Sequence, residues 1–335
     1  MAKEILTAEQ KAEKVEAQEV LKAKMEAIAG NPTSNESQQE FALLANMPYD
    51  AELPVPEVIA KTCKVTHLEK GDRYWYYAIA PTVKTVYTVS SGSVTQANVS
   101  PTSQSELTLS SFSTPEEYVY LEELLTAAYD VLGNKIKDAD QAFNRKEIYD
   151  VLNVMIASAE GQSQTFSNNT GITALNFVKL EEMTRALELY GTEFALITGS
   201  SVSADVRLMN YNANKFQSVK IEDLGITEWI KIPAFQFTHS GVKTVLATDK
   251  AVLVALADSE DAKPVHFIRR KTSDVASGTG DKERIVINLG YQSDPRIQVG
   301  STPKFGMATT TFGQYGIVQP NPFATAVYKK AVVYA

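Results

Sequence analysis

The chain has 335 residues, 44% of them apolar and 21% charged, which excludes a disordered, collagenous or coiled-coil class. Asp and Glu number 40 against 32 Lys and Arg, so the net charge is −8 and no overall field draws in nucleic acid. One cysteine, Cys63, excludes an intrachain disulfide framework. The three histidines, His67, His239 and His266, lie too far apart in sequence to suggest a zinc site.

The length fits about two domains. The longest apolar runs, 74–80 and 251–257, fall well short of the about 20 residues of a spanning helix, so no membrane partner is expected. Met1-Ala-Lys-Glu-Ile does not open like a signal peptide, which points to a cytosol-like compartment.

Residues 1–29 are rich in Ala, Glu and Lys and read as a helix stopped by Gly30-Asn31-Pro32. Its apolar stripe is thin, and a solvated arm is favoured over one docked on a partner. Residues 31–40 read as a polar linker and 41–47 as a short apolar patch. Pro48, Pro54 and Pro56 then favour extended chain. Tyr74-Trp75-Tyr76-Tyr77 is strand-prone. Base stacking there is disfavoured for want of basic neighbours, and a buried or interface strand is expected.

From Thr85 to Ser105 there is no charge, and Ser and Thr dominate 82–114. Limbs at 83–90 and 106–112 flank a tip of turn residues at 91–101, so 82–113 reads as a long two-stranded ribbon. Such a ribbon is marginal alone and its uncharged edges are unprotected, so a second copy of the chain is the simplest cover. The residues expected at that contact are Tyr87, Ser91, Gly92, Val94, Asn98, Pro101 and Leu107. A disordered Ser/Thr-rich surface loop is the competing reading.

Thr114-Pro115-Glu116-Glu117 reads either as a helix-opening capping box or as the approach to a strand at 117–120. Residues 121–159 read as a long helix, with a break near Gly133-Asn134 left open. A polar loop at 161–171 marks a boundary. Beyond it come a helix at 179–190, a strand at 192–198, a helix at 202–210, strands at 227–233 and 244–247, and a buried segment at 251–256. Strands follow at 265–270, 284–290, 303–311, 315–318 and 324–328, with a Gly/Ser turn region at 275–281.

No catalytic motif survives inspection. Gly278-Thr-Gly280 lacks a third glycine and a helix, and no Gly-x-Ser-x-Gly or phosphate loop occurs. Ser200 or Ser201 reads as a helix cap. Cys63 reads as a buried thiol rather than a nucleophile paired with His67. Arg269-Arg270-Lys271 reads as a solvated strand end. No cofactor, metal or catalytic residue is expected.

The order of elements, with Tyr118-Val-Tyr-Leu-Glu-Glu-Leu-Leu125, Phe177-Val-Lys-Leu-Glu-Glu-Met-Thr-Arg-Ala-Leu187, Thr227-Glu-Trp-Ile-Lys-Ile-Pro233 and 315–328, resembles the major capsid proteins of tailed bacteriophages. That resemblance implies an α+β, Hong Kong 97-like capsid fold. It implies an N-terminal helical arm at 1–47 and a peripheral domain beginning at 48–175, which carries the extended hairpin 82–113 and a spine helix at about 121–159. An α/β axial domain at 176–261 and the rest of the peripheral domain at 262–335 complete it. The implied function is self-assembly into hexamers and pentamers of an icosahedral shell around double-stranded DNA, in a virion built in the host cytoplasm. Portal, scaffold and decoration proteins are the implied partners, with weak non-specific contact to DNA. Lysine crosslinking is not expected, because the ribbon carries only Lys84, near its base. An encapsulin-type compartment, a soluble α/β hydrolase using Ser200, Cys63 or His239, and a β-rich tail or adhesin protein are the alternatives.

Overall fold

A computed structural model describes residues 8–47, 55–78, 104–120, 122–123, 131–167, 174–216, 220–232, 236–239, 242–245, 249–256, 263–274, 279–299 and 302–330. The chain divides into two compact units. The first comprises 1–53, 111–142 and 270–314; the second comprises 54–110, 143–269 and 315–335.

In the first unit, helices α1 (Ala8–Gly30) and α2 (Asn35–Asn46) pack on a sheet built from β4 (Ser110–Ser113), β5 (Glu117–Tyr120), β15 (Arg284–Val299) and β16 (Thr302–Val318). α2 corrects the linker expected at 31–40. Ser34 caps it, its side-chain oxygen accepting the Ser37 N–H at 3.1 Å. Phe41, Leu44 and Ala45 then bury one face against Val119, Val286 and Met307. α1 is not simply a solvated arm either, since Leu21, Met25 and Ile28, spaced one helical turn apart, join the same core.

β5 settles the two readings at Thr114 in favour of a strand. Thr114 is locked along β16: its N–H donates to Thr311 O at 2.9 Å and its hydroxyl accepts from Thr311 N at 3.0 Å. Helix α4 (Val131–Gly161) runs unbroken through Gly133-Asn134, because Leu132 and Ile136, one turn apart, are buried in the core on either side. Of the helix expected at about 121–159, residues 122–123 and 131 onward are helical, and 121 and 124–130 lie outside the described residues. β15 and β16 are each one long strand, pairing from Arg284↔Gly313 to Val299↔Thr302. The end expected at 290 is carried past by a register shift at Asn288/Gly290, and a second shift falls at Asp294/Gln298. The gap expected at 312–314 is strand, with Phe312 and Gly313 paired to Ile285 and Arg284.

In the second unit, a short helix α3 (Glu57–Thr62), not expected from the flanking prolines, leads into β1 (Cys63–Leu68), which neighbours β12 (Val265–Arg270). A five-stranded sheet has the order β6 (Thr165–Phe166), β17 (Thr325–Lys329), β11 (Lys250–Leu256), β7 (Glu193–Thr198), β8 (Ile226–Lys231). Helices α5 (Phe177–Leu187) and α6 (Ser200–Phe216) lay Leu180, Met183, Leu187, Val202 and Val206 on one face of it, against Leu196, Leu253 and Tyr328. β7 and β8 are parallel and joined through α6, the expected α/β crossover. Where the sequence reading set all of 262–335 apart from 176–261, β17 instead pairs with β11 from Lys250↔Lys329 to Val254↔Thr325. Ala324, Ala326 and Tyr328 join the core under the helices, and Thr325 and Val327 between them are buried as well, as suits an inner strand.

Further short pairs are β9 (Gln236–His239) with β10 (Val242–Val245), and β13 (Thr272–Asp274) with β14 (Thr279–Lys282). β2 (Tyr74–Tyr77) pairs with β3 (Gln104–Leu107).

Candidate assembly surfaces

The limb expected at 83–90 and the tip at 91–101 lie outside the described residues. β2 pairs antiparallel with β3 in the register Tyr74↔Leu107, Trp75↔Glu106, Tyr76↔Ser105, Tyr77↔Gln104. The second limb, expected at 106–112, divides: 104–107 pairs with the aromatic strand, whereas 110–113 turns onto β16. Leu107 and Leu109 explain the division. Their Cδ2 atoms lie 3.1 and 2.7 Å from where a Cβ on Gly316 would stand, so both leucines rest on a strand with no side chain at that point. Tyr74 holds the other limb, its hydroxyl 2.9 Å from His266 Nδ1 and its ring edge-on to the imidazole at 6.0 Å.

Strand alternation then sorts the aromatics. Tyr74 and Tyr76 are half-buried, whereas Trp75 and Tyr77 are 48% and 57% exposed. Their exposed face also carries Glu106, in a 3.5 Å ion pair with Arg73. Two neighbouring aromatic rings presented to solvent form a contact platform, and among the described residues β2 and β3 pair only with each other. Of the seven residues expected at the assembly contact, Tyr87, Ser91, Gly92, Val94, Asn98 and Pro101 lie outside the described residues. Leu107 is half-buried within its own chain. Trp75 and Tyr77 were not singled out from sequence. Alternation separates them from Tyr74 and Tyr76, and the contact of Tyr74 with His266 decides which pair faces outward.

The residues weighed for chemistry are dispersed. Cys63 is fully buried on β1, and burial pushes its thiol up to about 12. His67, four residues on, is exposed. Ser200 is the first residue of α6 rather than its cap, and Gly199 O accepts the Ser203 N–H at 2.9 Å. His239 ends β9. An open groove of about 470 Å³ in the second unit is lined by Glu181, Arg185, Glu188, Phe194, Asp223 and Leu224 among others, and by none of Ser200, Cys63 or His239. Among the described residues, no three His, Cys, Asp or Glu side chains are grouped to hold a metal. Arg269 is not a solvated strand end: it is buried and pairs with buried Glu147 of α4 at 2.8 Å.

A denser polar cluster lies in the first unit. Tyr120 donates to Asp294 Oδ2 at 2.6 Å, and Arg296 reaches Asp294 with Nε at 3.0 Å and Nη2 at 3.1 Å. Lys304 Nζ sits 4.1 Å from the centre of the Tyr120 ring and 3.3 Å from Glu122. Every charge there has a partner within the chain, which makes it a clamp on β5 and β15 rather than a reaction centre.

No protein-family model matches the sequence, and no curated protein matches it. Solved structures do match. A chain of Mycobacterium phage Bobi superposes with a TM-score of 0.53 at 13% identity, over 88% of this chain and 99% of that one. A chain of Mycobacterium phage Adephagia gives 0.52 at 13%, over 87% and 94%. The holo-SrpI encapsulin complex from Synechococcus elongatus gives 0.47 at 10%, over 88% and 96%. This chain has the Hong Kong 97-like capsid fold. Helix α4 covers 131–161 of the stretch 121–159 read as a long helix, and β3 lies within the stretch 82–113 read as a ribbon.

Proposed function

We propose that this protein is the major capsid protein of a tailed bacteriophage, assembling as hexamers and pentamers into an icosahedral shell around double-stranded DNA. The observation that carries the reading is the Trp75–Tyr77 platform, exposed on a Hong Kong 97-like fold at the foot of the uncharged 85–105 segment. On this reading 82–113, with Tyr87, Ser91, Gly92, Val94, Asn98, Pro101 and Leu107, lies over a neighbouring copy. The arm 1–47 reaches adjacent copies, and 176–261 surrounds the capsomer axis. The net charge of −8 suits contact with packaged DNA that is weak and non-specific. Portal, scaffold and decoration proteins are the further partners.

The test is to express the chain together with the flanking genes of its source genome and examine the product by sedimentation and negative-stain electron microscopy. Rings of five and six subunits or closed shells with nuclease-protected DNA are expected. Closed shells filled with a cargo enzyme would replace the phage reading with an encapsulin. A monomer under every salt condition, with all flanking genes present, would overturn both.

A further inference from the structure

The order of strands leaves β15 with one long side not paired to β16, and that side is where α2 lies. At Val286 both backbone groups point away from β16. They are taken by one side chain: Asn46 Oδ1 accepts the Val286 N–H at 2.7 Å, and Asn46 Nδ2 donates to Val286 O at 2.9 Å. A primary amide presents its N–H and C=O side by side, as a neighbouring strand would. Asn46 is 2% exposed, and Nδ2 also donates to Ala42 O at 2.9 Å within α2, which fixes its orientation.

About two turns earlier on the same helix, Gln38 O accepts from Asn288 Nδ2 at 2.9 Å. Just past that point the strand bulges at Asn288/Gly290, with Gly290 at φ +89° and its N–H turned to Asn288 Oδ1 at 2.9 Å. Helix cover, side-chain mimicry and a bulge thus occupy successive positions of one strand. Helix cover and a bulge are known ways of stopping a strand from accepting another, and the Asn46 amide satisfies the same backbone groups directly.

We infer that α2 is a latch over a latent strand-pairing edge at 284–288, and that Asn46 keeps two copies of this chain from joining through that edge. The occupant excluded is the same edge of a second copy, running antiparallel, because the commonest contact between copies is two-fold and sets one patch against its identical counterpart. The latch steers association towards the other surfaces of the molecule. It stands whether or not those surfaces build a shell.

The test uses the full chain and Asn46→Leu, which keeps the volume and removes both hydrogen bonds. Amide hydrogen exchange at Val286 and sedimentation velocity across a concentration series are read together. In the parent, Val286 is protected. In N46L it exchanges at least tenfold faster, amides of β7 and β11 in the other unit are unchanged, and a new concentration-dependent species appears. Protection retained at Val286, or protection lost with an unchanged sedimentation pattern, would overturn the latch.

Asn46→Asp decides the matter if N46L loses protection throughout. Ionised, the carboxylate faces Val286 O and opens the edge. Protonated, it again offers a donor and an acceptor. New self-association at neutral pH that reverses on mild acidification, with the parent indifferent to the same change, supports the latch. Association that is absent, or that ignores pH, refutes it.

Discussion

Asp294 and Tyr120 share a 2.6 Å hydrogen bond, and their titrations are displaced in opposite directions. The hydrogen bonds from the Arg296 side chain, helped by those from Tyr120 and the Arg296 N–H, hold the Asp294 carboxyl well below the usual carboxylate range, although burial opposes them. Burial first, and the Asp294 partner second, push the Tyr120 hydroxyl up to about 12. A carboxyl with a lowered folded pKa stabilises the fold above its unfolded value, roughly 3.9, and that contribution is lost as pH falls towards the folded value. A phenol with a raised folded pKa stabilises below its unfolded value, roughly 10, and loses that contribution as pH rises through about 12. Thermal melts from pH 2 to 12 should therefore show Asp294→Asn flattening the acid limb and Tyr120→Phe flattening the alkaline limb. Parallel curves for parent and variants would contradict this. Cys63 gives a simpler test. At neutral pH the folded protein should leave its thiol unmodified by iodoacetamide, and urea should make it reactive. Labelling of the folded chain at the unfolded rate would refute the buried placement.

At the scale of elements, caps and glycines decide where segments begin and turn. Ser34→Ala should cost about 1 kcal/mol by removing the bond to Ser37 N, read from urea unfolding. An unchanged midpoint would mean α2 gains nothing from its cap. The same helix shows why part of the fold was hidden in the sequence. Residues 31–40 contain no apolar side chain that marks a helical face, and α2 is secured by Phe41, Leu44 and Ala45 beyond them and by Asn46 on β15. Those are tertiary contacts, invisible to a local pattern. The long strands were misjudged for the same reason. Gly290 reads as a stop, yet in β15 it is the bulge that lets pairing continue. By contrast, segments whose apolar period is satisfied locally, such as 193–198, 226–231 and 265–270, were readable almost to the residue. The aromatic strand was readable as a strand. Its outward rings were not, because which parity faces outward depends on Tyr74 finding His266, 192 residues away.

At the scale of the whole molecule, the exposed rings and the interior answer to different tests. Trp75→Ala with Tyr77→Ala should leave circular dichroism and the melting temperature close to the parent, since both side chains are largely in solvent. The same double variant should lose particles in the electron microscope, because buried aromatics carry a large share of contact energy at interfaces. Normal particles from that variant would remove the platform from the assembly surface.

The two units also interleave along the chain: α4 and β16 each contribute residues to both, and β17 is inserted between β6 and β11. A nascent chain emerging from the ribosome therefore holds neither unit in finished form until the segments around 302–330 have been made. β17, which lies between β6 and β11 in the five-stranded sheet, is made after both of them. Copies still being translated are thus poor partners for one another. The pool from which any larger structure grows consists of chains synthesised past these segments, and its concentration follows the rate at which they are made.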